Sequence, residues 1–256
     1  MLQHGAEIVR GYDTGVTLRQ LFYRMVADGT LPNTLPTYKT LSARTAEARR
    51  DGWFPTLVDL TRSISRPPSW SSPGEAREAL RDQYRQDRTA GQEFAVYLGV
   101  EKATLLALFE SWYDEHGLPI VVTRGYGSQT YVDAVDADVS NDGRKAVLLY
   151  VGDLDPSGED IERDFIERTD AFDDAKRVAV RPEHVAHYGL VPAPGKATDS
   201  RAAGFTARHG ELIQVEVEAL DPNDLRVLVD AALEPYWDVS AFEAVLAQEE
   251  QERRTL

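Results

Sequence analysis

The run Lys145 to Val151 (KAVLLYV) is almost wholly apolar and ends abruptly on Gly152-Asp153-Leu154-Asp155-Pro156-Ser157-Gly158. It reads as a buried strand that stops on two carboxylates one residue apart, with Pro-Ser-Gly opening a helix. Along an extended segment, side chains i and i+2 lie on the same side, so Asp153 and Asp155 are placed to converge on one ion. Mg²⁺ takes hard oxygen ligands, keeps several waters and is often held by one or two carboxylates beside a phosphate. Mn²⁺ is an alternative for the same donors. The other reading is a plain strand-to-helix turn with an Asp cap, which does not need both acids.

The surrounding pattern repeats the strand-helix unit. Phe94 to Val100 (FAVYLGV) reads as a second buried strand and ends on Glu101-Lys102, followed by an apolar helical pattern from Ala103 to Tyr113. A third strand, Leu118 to Thr123, leads into Arg124-Gly125-Tyr126-Gly127-Ser128 and a helix over Gln129 to Val139. After the Asp pair come a charged helix, Ser157 to Phe172, and a strand at Arg177 to Val180. The order β-α-β-α-β-α-β predicts an α/β fold with a parallel sheet, whose ligands bind beyond the carboxyl ends of the strands. Glu101 and the Asp pair both fall at that edge, on neighbouring strands.

A glutamate after the first strand and an Asp-x-Asp after the third resemble the TOPRIM domain of topoisomerases, bacterial primases and several nucleases. Asp153 to Ile161 (DLDPSGEDI) is most similar to the A subunit of topoisomerase VI and its relative, the meiotic double-strand-break transesterase. Haloacid-type phosphatases and many glycosyltransferases also use an Asp-x-Asp. The haloacid pattern, however, opens its domain and continues with Thr or Val, whereas this one lies mid-chain before Pro156.

The N-terminal segment bears on the same resemblance. Thr17 to Asp28 (TLRQLFYRMVAD) forms an amphipathic helix with Leu18, Leu21, Phe22, Met25 and Val26 on one face, and Gly29 fits its stop. Arg19 and Tyr23 are four apart and share a face. TLRQLFY is similar to the segment of topoisomerase VI-type proteins that carries the nucleophilic tyrosine, and Tyr23 matches its second aromatic. A phenol with a pKa near ~10 is a poor nucleophile at neutral pH, and a guanidinium one turn away favours phenolate and grips phosphate. The resemblance implies dimers in which Tyr23 of one chain meets the carboxylates of another. A half-buried packing tyrosine is the competing reading.

Leu31 to Thr37 forms a Pro-punctuated loop, and a second helix covers Tyr38 to Arg50. Trp53 to Thr61 reads as extended and suits a wing. Together these resemble a winged helix-turn-helix, in which Lys39, Arg44, Arg49 and Arg50 face DNA phosphates. The charge distribution agrees. The chain carries −15 overall, which argues against a generic nucleic-acid coat. Yet residues 1–66 hold nine Lys/Arg against six acids, net +3, leaving −18 on the remainder.

Ser63 to Gly74 reads as a Pro/Ser-rich linker. The helix after it, Glu75 to Arg88, aligns Arg77, Arg81, Arg85 and Arg88 in one basic stripe, either a salt-bridged exposed face or a phosphate track. Lys196 and Arg201, in the polar stretch Gly195 to Arg201, are further candidates for phosphate or a second metal, with a surface loop as the alternative. Leu212 to Leu220 reads as a strand whose acids Glu216 and Glu218 face solvent. Two helices follow from Pro222 to Gln251.

The expected organisation is a winged helix-turn-helix over 1–66, a linker and basic helix over 67–90, and a Rossmann-like TOPRIM domain with C-terminal helices over 91–256. The expected activity is Mg²⁺-dependent cleavage of double-stranded DNA by Tyr23, with Arg19 and Glu101 assisting and Glu101, Asp153 and Asp155 holding metal. A hydrolytic TOPRIM nuclease and a non-catalytic DNA-binding component remain open. A homodimer and a regulatory partner are the expected associations. The absence of cysteine and a count of five histidines argue against thiol or zinc chemistry. No apolar run nears ~18 residues and no leader pattern opens the chain, so a soluble cytoplasmic protein is expected.

Overall fold

The computed structural model describes residues 1–12, 15–59 and 66–256. Three helices come first: α1 (Leu2–Arg10), α2 (Leu18–Ala27) and α3 (Leu35–Arg50). Helix α2 starts where its side chains can close it. The Thr17 hydroxyl accepts from Gln20 N at 3.2 Å, and the Gln20 carboxamide oxygen accepts from Thr17 N at 2.9 Å. Gly29, at φ +76°, follows the helix in the conformation expected of its stop. The apolar face of α2 buries Leu21, Phe22, Met25 and Val26 against Ala6, Val9, Leu41, Ala48, Phe54 and Leu57.

The wing expected over Trp53 to Thr61 forms no strand as far as Asp59, and residues 60 and 61 lie outside the described part. Pro55 lacks an N–H for a ladder, and Phe54 and Leu57 are drawn into the helical core instead. Backbone bonds tie this segment back, from Trp53 N and Phe54 N to Ala48 O at 3.3 Å and from Val58 N to Val16 O at 3.0 Å.

The main sheet has four parallel strands: β1 (Phe94–Val100), β2 (Ile120–Val122), β3 (Lys145–Val151) and β4 (Asp174–Ala179), in the order β2-β1-β3-β4. The crossovers are α5 (Ala103–Tyr113), α6 (Gln129–Asp142) and α7 (Pro156–Thr169). Alternation along the two central strands separates two cores. Val96, Leu98, Val100, Val147, Leu149 and Val151 join α5 and the C-terminal helix α10 (Pro222–Leu233), while Ala95, Tyr97, Ala146, Leu148 and Tyr150 join α6 and α7. The chain leaves β1 toward β2 and then crosses back to β3, so the direction of winding reverses between β1 and β3. That reversal opens the crevice in which doubly wound sheets bind ligands.

Helix α4 runs from Pro73 to Gln83, shorter than the basic helix expected to Arg88. Tyr84 turns extended, and Arg85 and Arg88 leave the stripe to pair with Asp114 and Glu249. The segment after β4 folds into α8 (Pro182–His187), α9 (Ala202–His209) and a two-stranded ribbon, β5 (Ala193–Pro194) with β6 (Ile213–Gln214). The chain ends in α11 (Val239–Arg253). No helix among the described residues is long and apolar enough to cross a membrane.

Candidate functional site

Glu101 follows β1 and Asp153 follows β3, side by side at the reversal point. Register carries them there, because Val100 pairs with Val151. The Glu101 carboxylate accepts from Asp153 N at 2.8 Å. Two glycines permit this approach. A Cβ on Gly152 would stand 2.9 Å from Glu101 Oε2, and one on Gly158 would stand 2.4 Å from the Asp153 carbonyl oxygen. Arg177, on β4, donates to the carbonyl oxygens of Gly152 and Asp153 and to Val180 O at 2.9 Å, with Glu162 as its counter-ion. It clamps the backbone that carries Asp153.

The two acids of the Asp pair have different surroundings. Asp153 is buried; its Oδ1 accepts from Val217 N and its Oδ2 meets Lys102 Nζ, both at 2.8 Å. Asp155 caps α7, accepting from Gly158 N at 2.7 Å. The capping role considered for this turn is therefore realised at Asp155, whose charge also acts on Glu101.

Glu216 and Glu218, expected on the solvent face of a strand, are at the centre of the site. Val215 pairs with Leu154 in an antiparallel bridge, and the chain then tightens into a 3₁₀ turn at Val217–Ala219. Both acids are thereby swung onto Lys102, at 3.1 and 3.4 Å. Glu218 is 6% exposed and also accepts from Thr104 Oγ1 at 3.1 Å. Acid–apolar alternation in sequence is equally the signature of a half-exposed strand, so no local signal marked these two residues.

Helix α2 lies against this turn. Arg19 pairs with Glu216 and Glu218, and the Tyr23 hydroxyl lies near enough to Glu216 to feel its charge. Within one chain, Arg19 and Tyr23 are thus brought to Glu216 and Glu218. The guanidinium is engaged by acids, and the phenol is not activated in this state. Burial and Glu216 push the Tyr23 phenol up, outweighing Arg19 and Lys102.

The site is crowded with negative charge. Burial and the neighbouring Asp153 and Asp155 push Glu101 up to about 7. Burial also raises Asp153 against the opposing pull of Lys102. Burial disfavours the Lys102 ammonium, but Asp153, Glu218 and Glu216 hold its pKa above the usual value. Glu216 is half-buried, which raises it, but Lys102 and Arg19 hold it low. Among the described residues no three Asp, Glu or His side chains converge as a ready-made metal cage. The donor chemistry nevertheless fits a hard cation. The acids are in surplus, and no hydrogen bond among the described residues reaches Glu101 Oε1 or Asp155 Oδ2.

The candidate DNA contacts divide. Lys39, Arg44, Arg49 and Arg50 are exposed on α3, and none forms an ion pair with another described residue. Arg49 lines a cavity of about 390 Å³ together with Arg19 and Glu218. Lys196 is exposed, but Arg201 is spent internally on Asp199, Asp160, Ser157 and Tyr126. It pins the 195–201 loop to the start of α7, which makes it a brace rather than a free contact. The sequence matches no protein-family model and no curated protein.

Proposed function

We propose that this chain cleaves a strand of DNA by attack of Tyr23 on phosphorus, with the N-terminal helices as a winged-helix-related reader and the parallel sheet as a TOPRIM domain. The observation that carries the reading is the seating of α2, which sets Arg19 and Tyr23 through Glu216 and Lys102 on the edge that bears Glu101 and Asp153. Glu101, Asp153 and Asp155 are the residues that would hold Mg²⁺ or Mn²⁺, which when bound supplies positive charge to the scissile phosphate. Glu216, whose charge acts on the phenol, takes the proton as the tyrosyl oxygen bonds phosphorus. The bond from phosphorus to the deoxyribose oxygen breaks, and that oxygen takes a proton from water. Lys102 keeps Asp153, Glu216 and Glu218 in place while charge moves among them. The reading includes a homodimer on double-stranded DNA and a regulatory partner.

Hydrolysis is the second reading, favoured by the packing of Tyr23 against Phe22, ring centroids 5.4 Å apart, and by its raised pKa. Supercoiled plasmid incubated with Mg²⁺ and quenched in detergent, with and without protease, separates the two. A protein–DNA adduct that disappears in Tyr23→Phe is expected. Cleavage without adduct gives the chemistry to water, and binding without cleavage makes the chain a DNA-binding component. Mixing Tyr23→Phe with Asp153→Asn should leave cleavage absent, because nucleophile and acids share one chain. Recovery of nicking would place them on different chains.

A further inference from the structure

We infer that Arg124 is the phosphate-binding residue of this site, the side chain that takes the charge of the scissile phosphodiester beside Glu101. The inference rests on the strand-cleavage reading and adds a residue that neither the motifs nor the resemblance assigns.

Three observations carry it. First, the parallel pairing of β1 and β2 continues past both strands. Thr123 N bonds to Val100 O at 3.0 Å and Arg124 N bonds to Glu101 O at 2.9 Å, so Arg124 is fixed by its own backbone next to Glu101. Second, Arg124 is held at φ +48°, with Gly125 at +83° after it. That region favours glycine, so the position gains nothing in backbone energy from an arginine; what arginine adds there is its side chain. Third, Arg124 lines a cavity of about 410 Å³ with Arg19, Glu101, Lys102, Thr104 and Glu218. The other two cations of that cavity are already spent, Arg19 on Glu216 and Glu218, Lys102 on these and Asp153. Arg124 is exposed and forms no ion pair with a described residue. A phosphate entering the cavity therefore meets, at Arg124, a guanidinium not already paired with a described acid, and its planar fork suits two phosphate oxygens.

The test uses the full chain as wild type, Arg124→Ala, Arg124→Lys and Arg124→Gly. A labelled duplex oligonucleotide is titrated over a range of salt, and plasmid cleavage is followed with Mg²⁺. Arg124→Ala should cut the cleavage rate on the order of 100-fold. It should also make the log–log salt slope of binding shallower by about 0.9, the value of one phosphate contact. Arg124→Lys should recover part of the rate, and added guanidinium salt should partly rescue Arg124→Ala. Arg124→Gly should melt no lower than wild type yet cut as poorly as Arg124→Ala, which separates the side chain from the backbone it sits on. Wild-type rate and salt slope in Arg124→Ala would overturn the inference and leave strand cleavage standing. A salt-slope change on a protein that never cuts would support the phosphate contact and overturn the cleavage reading. A wild type that neither binds nor cuts DNA overturns both.

Discussion

Two buried carboxylate clusters in this molecule are built on opposite ratios of charge. At one end, Glu249 of α11 is 1% exposed and is shared by Arg88, at 2.7 Å, and Arg253, with a further bond from Gln86 N at 3.2 Å. Two guanidiniums serve one acid, and the Arg88 hydrogen bond, followed by other donors and charges, holds Glu249 below its usual range. At the sheet edge the ratio inverts. Asp153, Glu216 and Glu218 share Lys102 and Arg19, Glu101 stands beside them without an ion pair to a described residue, and both Glu101 and Asp153 are pushed up. The first cluster is electrically closed and fastens α11 to the segment after α4. The second is short of positive charge at the point where doubly wound sheets take ligands. A satisfied buried ion pair serves the fold; a surplus of buried acid is the signature of a site.

The largest expected effect breaks the closed cluster. Glu249→Ala leaves Arg88 without its main counter-ion and should cost about 3–5 kcal/mol, read by denaturant unfolding. A loss within ~0.5 kcal/mol would remove the distinction between the clusters. Next, Lys102→Met takes away the ammonium shared by three acids and should cost about 1.5–3 kcal/mol without divalent ions. Added Mg²⁺ should raise the melting temperature of this variant more than that of wild type, because Asp153 is left without an ion-pair partner among the described residues. An equal rise in both would argue against metal at this edge.

The pH dependence should have opposite signs in the two places. Glu101 is raised from 4.5 to about 7, so the folded chain holds its proton more tightly than the unfolded one. Its contribution is therefore most favourable below 4.5 and is lost as pH rises toward 7, on the order of 2 kcal/mol after screening. Glu249 is lowered, so its stabilisation is present above its unfolded value of 4.5 and is lost as pH falls through its folded value. Unfolding of Glu101→Gln across the 4.5-to-7 window should show the slope removed. The smallest effect is at Asp155. Asp155→Ala should cost about 1 kcal/mol through the lost α7 cap, and Asp155→Asn only a few tenths. If both variants lose Mg²⁺ response equally, the cap and the ligand role are separable.

Much of the framework was legible because it rests on local rules. Continuous apolar runs marked β1 and β3, and α5 follows β1 at the residue its pattern indicates. The apolar stripe of Leu21, Phe22, Met25 and Val26, with Gly29 behind it, described α2 well. The strand-end position of Glu101 and Asp153 followed from the β-α alternation alone. The wing did not follow, because Phe54 and Leu57 had a nearby core to fill. The basic stripe failed for a similar reason, since Arg85 and Arg88 had distant acids to meet.

The sequence by itself determined which strands are buried, where their carboxyl ends fall and which acids stand there, since periodicity and turn chemistry act over a few residues. Tertiary structure alone decided which charges share that edge. Val215 bridges to Leu154 and Val217 N reaches Asp153 across some sixty residues, carrying Glu216 and Glu218 inward, and α2 meets them from nearly two hundred residues away. Such pairings leave no trace in local pattern, because an acid beside a valine has the same spelling whether it faces water or a lysine. Their energy arises only when packing brings the partners within Coulomb reach in a medium drier than water.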